Sequence, residues 1–219
     1  MLAITGREVF AAGWTLALLI VCPGLFSQRL PPGEPVTNSS LAPADMDSKN
    51  VVRWQSLIGE EKYDQGARLF RKGRYELAAT AYKRACEAFS PKACTNLGVM
   101  YRSGLGVKKD YALSAEFNRR GCQGGNALGC TNLGIMYWEG SLLKDDRRAV
   151  DLFSKGCQGG DSGGCLGLGF MYENGQGVKR DSRRAAEFYR KGCQGGNERS
   201  CRQLANLSSV PIEESASEP

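Results

Sequence analysis

Cys122-Gln123-Gly124-Gly125 returns as Cys157-Gln158-Gly159-Gly160 and again as Cys193-Gln194-Gly195-Gly196, and each copy has a second cysteine eight positions after its first, at Cys130, Cys165 and Cys201. A diverged copy lies upstream at Cys86 and Cys94. The first cysteines are 36, 35 and 36 residues apart. A fixed period of this size marks a solenoid, whose units bury their apolar faces only against their neighbours.

Working outward from the second cysteine, the units read Cys94-Thr95-Asn96-Leu97-Gly98-Val99-Met100-Tyr101, Cys130-Thr131-Asn132-Leu133-Gly134-Ile135-Met136-Tyr137 and Cys165-Leu166-Gly167-Leu168-Gly169-Phe170-Met171-Tyr172. Offsets of zero, three and seven place cysteine, leucine and tyrosine on one helical stripe. The glycine at offset four (Gly98, Gly134, Gly169) costs about 1 kcal/mol of helix propensity, which close approach of a neighbouring helix would offset. A second helix precedes each first cysteine, with apolar residues seven before it (Ala79, Ala115, Val150, Ala186) and five before it (Ala81, Phe117, Leu152, Phe188). The spacing therefore predicts helix, turn, helix, tight turn in every unit.

The ends of these helices are written in the sequence. Ser90, Asn126, Asp161 and Asn197 stand four before a second cysteine, where an N-cap belongs, and Pro91 follows Ser90 at the favoured first helical position. The Gly-Gly pairs supply a left-handed residue to stop the preceding helix. Asp110, Asp145 and Asp181 close the glycine turns between paired helices and cap the next one; the middle turn is a residue shorter. Tyr63 to Cys86 reads as a unit with a shorter turn, and the residues after Cys201 as a capping half unit.

In each joint the two cysteines sit in the last turn of one helix and the first turn of the next. The pairs Cys86–Cys94, Cys122–Cys130, Cys157–Cys165 and Cys193–Cys201 are thus read as disulfides, each contributing roughly 2–3 kcal/mol on the chain-entropy account. Zinc sites space cysteines by two to four residues and often add histidine; this chain has no histidine and no Cys-x-x-Cys. The lack of histidine also removes the commonest general base. No metal or cofactor is expected. The net charge of +6 is spread thinly, which argues against nucleic acid as a partner.

Residues 1–27 are read as a signal peptide or membrane anchor, since 9–26 form an uncharged apolar run behind Arg7. Cys22 after Leu19-Ile20-Val21 offers a lipobox-like alternative. Each variant would carry the array into an oxidising compartment, secreted or periplasmic, with membrane contact only through 9–26. Residues 28–50, with four prolines, are read as a disordered linker, 58–209 as the solenoid, and 210–219 as a disordered acidic tail.

Leu-Gly-x-Met-Tyr-x-x-Gly-x-Gly-Val-x-x-Asp resembles the SEL-one-like repeat, a relative of the tetratricopeptide repeat, and with a cysteine pair at each joint the array resembles the Helicobacter cysteine-rich proteins. The resemblance covers about residues 58–207; Ser141-Leu142-Leu143-Lys144 departs from its turn. It implies an all-α, right-handed superhelical solenoid of antiparallel helix pairs, stapled by disulfides, that binds a peptide or protein in a concave groove. Carried onto this chain, the groove positions are Thr95, Asn96, Val99 and Arg102; Thr131, Asn132, Ile135, Trp138 and Glu139; and Leu166, Phe170, Glu173 and Asn174. The asparagine amides suit a peptide backbone or carboxylate, and Trp138, against Arg102 and Glu173 in its neighbours, suits an anchor. The resemblance also implies penicillin binding with weak β-lactamase activity, so a cell-wall peptide or β-lactam joins the expected ligands. Ser141-x-x-Lys144 matches the nucleophile motif of serine β-lactamases, but its Ser-Asp-Asn and Lys-Thr-Gly partners are missing. No catalytic residue is assigned.

Overall fold

The computed structural model describes residues 47–209. Helix α1 (Ser48–Arg71) pairs with α2 (Tyr75–Glu87), α3 (Pro91–Ser103) with α4 (Tyr111–Gln123), α5 (Ala127–Glu139) with α6 (Asp146–Gln158), and α7 (Ser162–Asn174) with α8 (Ser182–Gln194); α9 (Glu198–Ser209) follows. Each helix packs on its partner and on the adjoining unit, giving the all-α solenoid of repeating pairs. Of these helices none is long and apolar enough to cross a membrane. The segments read as signal or anchor and as acidic tail lie outside the described residues. Asp47 caps α1 by accepting from Asn50 N–H, so helix begins inside the stretch read as linker and ten residues before the expected start of the array at 58.

The other helices start where the caps require. Asp110, Asp145 and Asp181 have extended backbones and accept from the N–H groups of Leu113, Arg148 and Arg184. Ser90, Asn126, Asp161 and Asn197 do the same for α3, α5, α7 and α9. Each satisfies a backbone donor that a helix start leaves open. At the joints the second glycine turns left-handed: Gly125 and Gly160 at φ 89°, Gly196 at φ 83°. The four bridges close there as read, with Cα–Cα distances of 4.5–4.7 Å.

The buried faces match the periodicity in part: the cysteine and the leucine at offset three are buried in α3, α5 and α7. The methionine at offset six (Met100, Met136, Met171) is also fully buried, and the tyrosine at offset seven is only half-buried. In the second helices full burial falls eight, four and one before the cysteine, as at Ala149, Phe153 and Gly156. Residues seven and five before are buried as expected in α2 (Ala79, Ala81) and at Phe117, and partly buried at Ala115, in α6 and in α8; Phe117 and Phe188 stack on Tyr101 and Tyr172, with ring centroids 5.5 Å apart in both pairs. The stripe is displaced because a second helix packs against two first helices, its own and the next, and faces the bisector between them. The offset-four glycine admits this packing: a Cβ on Gly134 would meet the Phe153 ring at 3.0 Å, and one on Gly169 the Tyr189 ring at 2.6 Å.

Candidate functional site

A cleft of about 570 Å³ opens between α5, α7 and α9, lined by offsets five and eight from the cysteine of α5 and by offsets one, two and five from that of α7. Its walls are apolar: Ile135 and Trp138 from α5, Leu166 and Phe170 from α7. Gly167 stands where the two preceding units have Asn96 and Asn132. A Cβ there would lie 2.8 Å from Phe153, so the glycine leaves that ring as part of the floor. The indole of Trp138 meets Phe170 edge-on at 5.3 Å and donates its N–H to Gln176 Oε1 at 2.8 Å. One polar bond and one ring contact fix the tryptophan between two units, with its remaining face toward the cleft.

Glu139 lines the rim and is paired with Arg102 of the preceding unit at 2.8 Å. Glu173 is engaged too, accepting from the Tyr189 hydroxyl. Burial, with the adjacent Glu173 carboxylate, pushes the Tyr189 phenol well above its ordinary range, so it remains a neutral donor. Across the cleft, α9 supplies Arg199, Arg202, Gln203 and Asn206. Neither arginine has a carboxylate within bridging distance among the described residues. The cleft thus joins an apolar floor to a rim carrying two cations without counter-ions.

The residues expected in the groove divide into four sets. Ile135, Trp138, Glu139, Leu166 and Phe170 line the cleft. Asn96, Asn132, Val99, Arg102 and Glu173 stand on first helices outside it, and Asn132 donates to Asn118 Oδ1 at 3.4 Å. Because Asn118 donates its own amide to the Ser114 carbonyl, the amide nitrogen of Asn132 must face inward and its oxygen outward. Thr95 and Thr131 are not groove residues: both are buried, their hydroxyls wedged beneath Gly121 and Gly156 of the second helices. Asn174, at the end of α7, turns its amide back to the Phe170 carbonyl at 2.9 Å.

Sequence reasoning missed the α9 side of the cleft. The signal was present, since Arg202 and Asn206 lie one and five after Cys201, the same register that placed Leu166 and Phe170, and Gln203 lies two after it, as Gly167 does after Cys165. The half unit was read as a cap, and the register was not carried into it. In the Ser141-x-x-Lys144 match, the lysine is engaged by other groups. Lys144 Nζ donates to the Trp138 carbonyl at 3.1 Å and to Asp146 Oδ1 at 2.9 Å.

A stapled array of helix pairs with a concave, side-chain-lined cleft defines a repeat scaffold of the solenoid class. Comparison with known families makes the assignment sharper: the Sel1 repeat matches three times, over residues 91–126, 127–161 and 162–197. The chain belongs to the Sel1-repeat proteins. Among solved structures it is similar to a protective antigen of uropathogenic Escherichia coli with an SLR fold, at 34% identity and TM-score 0.63, over 68% of this chain and 33% of that one. The chain thus spans a third of that antigen's length. It is also similar to a Sel1 repeat protein of Oxalobacter formigenes, at 30% identity and TM-score 0.59, over 74% of this chain and 66% of that one. Helicobacter pylori cysteine rich protein B matches at 29% identity and TM-score 0.47, over 57% of this chain and 96% of that one. No curated protein matches by sequence.

Proposed function

We propose that the protein is an extracytoplasmic scaffold that holds an extended segment of a protein partner along its first helices and anchors one bulky apolar side chain in the cleft between α5, α7 and α9. The observation that carries this reading is the cleft itself. Ile135, Trp138, Leu166 and Phe170 come from different units, yet they converge on one solvent-open recess. A solenoid has no packing reason to assemble them there, and a recess of aromatic and aliphatic walls with a polar rim is the usual form of an anchor pocket. Four disulfides support an oxidising location, where they persist; secretion or a periplasmic setting belongs to the same proposal. The outward-facing oxygen of Asn132 is available to a peptide N–H one unit away.

Apolar walls with a polar rim carrying two arginines are suited to recognition of a side chain and its flanking backbone. Peptide display against the oxidised protein tests the proposal. Selected peptides share a bulky apolar residue, and Phe170→Ala weakens them at least tenfold, while Leu143→Ala, on the exposed middle turn, leaves them unchanged. Peptides that bind both variants equally remove the cleft from the function.

A further inference from the structure

We infer that the edge formed by the turns between paired helices is a docking surface for an anionic phospholipid bilayer. Two of these turns rest on the start of the second helix before them. A Cβ on Gly106 would meet the Tyr75–Glu76 backbone within 2.5 Å, and one on Gly177 the Asp146–Arg147 backbone within 2.9 Å. The middle turn begins alike: Ser141 N–H donates to the Met136 carbonyl as Leu105 does to Met100 and Gln176 to Met171. Leu142 holds the place of the two glycines, twelve after the second cysteine. Turns and helix starts thus alternate along one row. The expected membrane contact was confined to residues 9–26, whereas this edge belongs to the array itself.

Large apolar side chains stand exposed along this row: Tyr75, Leu77, Tyr111 and Leu113 in the first turns of α2 and α4, and Leu142 and Leu143 between α5 and α6. Leu143 decides the reading. Val107 and Val178, at the same place in the flanking turns, pack against the core. In the shorter middle turn Leu143 points outward and is 73% exposed. A protruding aliphatic side chain needs no shaped pocket in a hydrocarbon phase, and tyrosines settle at the level of the headgroups. No residue lining the cleft lies in these turns, so the two surfaces are distinct.

The charge of the protein lies on the same edge. Residues 72–77, 105–113, 141–148 and 176–184 carry eleven lysines and arginines against five carboxylates, a net of +6, which is the net charge of the whole chain. Three of those carboxylates, Asp110, Asp145 and Asp181, are engaged as N-caps. All eleven cations are exposed, and among the described residues only Lys144, Arg148 and Arg184 of them are ion-paired. An anionic bilayer matches both features: it draws lysine and arginine to its surface and takes up the apolar tips between them. Other occupants match one feature each. A second copy would set like charge against like charge, and a phosphate backbone has no place for protruding leucines.

The test uses the oxidised full chain with vesicles of phosphatidylcholine, alone or mixed equally with phosphatidylglycerol. Cosedimentation is expected to show at least tenfold tighter binding to the mixed vesicles, weakening as salt rises. Lys108→Glu with Lys109→Glu lowers that binding at least tenfold, and Leu142→Ser with Leu143→Ser lowers it several-fold. Circular dichroism confirms that each variant keeps its helices. Residues 9–26 are common to every variant, so the edge is also read separately through Leu143→Trp. Brominated lipid quenches that tryptophan beyond the wild-type signal, whereas Leu128→Trp, exposed in the first turn of α5 at a joint, adds no quenching. Equal quenching at both places, or binding indifferent to the lysine reversal, overturns the inference. Binding unchanged by the leucine substitutions leaves charge alone as its cause and overturns it too. A dimer seen by sedimentation without lipid and dissolved by Leu143→Ser assigns the edge to a second copy instead.

Discussion

Thr131 Oγ1 is buried and has no hydrogen-bond partner among the described residues, and a Cβ on Gly156 would come within 2.2 Å of it. Thr95 stands in the same relation to Gly121, at 2.1 Å. The third unit reaches this packing from the other side. There the threonine is replaced by Leu166, and Ser200 of α9 supplies the hydroxyl, 2.3 Å from a Cβ on Gly192. That exchange has a functional result, because a leucine with no room at the joint is free to line the cleft. It also predicts a coupling. Gly156→Ala overpacks the joint at a cost of about 1–3 kcal/mol, reduced by about 1 kcal/mol of regained helix propensity. Adding Thr131→Ala removes the clashing oxygen, a group with no hydrogen bond to lose. The double variant is expected to recover most of the loss, with a coupling above about 1 kcal/mol by chemical denaturation of the oxidised protein. Additive losses would show that the glycine is there for another reason.

Each joint is a nine-residue element in which helix stop, left-handed turn, N-cap and disulfide coincide, and one of the four breaks the pattern. Phe89 takes the left-handed place of Gly125, Gly160 and Gly196 at φ 61°, and its ring is 75% exposed. A side chain in that conformation is disfavoured, and an exposed ring gains little packing in return. Phe89→Gly is expected to stabilise the protein by about 1 kcal/mol, read as a shift in denaturation midpoint with unchanged slope; a loss would mean that the packing of the ring within the chain outweighs its backbone strain. The caps and turns at these joints were legible in the sequence because their chemistry acts within four residues and the repeat states it several times. Burial was less legible. Whether Thr95 or Val99 faces the groove depends on where the next unit's helices fall, and periodicity within one helix cannot supply that. Leu166 and Phe170 could be placed by counting from a cysteine, whereas Phe153 enters the cleft only because Gly167 opposite it has no side chain. Arg199 and Arg202 required the register to continue past the last cysteine.

At the scale of the whole molecule, stability in a solenoid is a sum over units and their nearest interfaces, so an end unit loosens without unfolding the middle. Helix α9 is such an end among the described residues, packed on α8 and, more lightly, on α7, and joined covalently to α8 through Cys193–Cys201. Its one fully buried polar side chain, Ser200, sits beside Gly192 at that same joint. The helix nevertheless carries one wall of the cleft and both of its arginines, so the site is built across the interface with the last helix of the described array. Replacing the last bridge through Cys193→Ser with Cys201→Ser removes roughly 2–3 kcal/mol from a unit with one main neighbour. Hydrogen exchange is expected to show faster opening confined to residues 198–209, with α3 to α6 unchanged, and affinity for a groove peptide falling several-fold. The matched variant at the opposite end, Cys86→Ser with Cys94→Ser, should loosen α2 and α3 and leave peptide affinity intact. If both variants lower protection along the whole array, the units are coupled more tightly than a nearest-neighbour chain allows. In that case the last bridge stabilises the fold as a whole and has no separate part in holding the cleft.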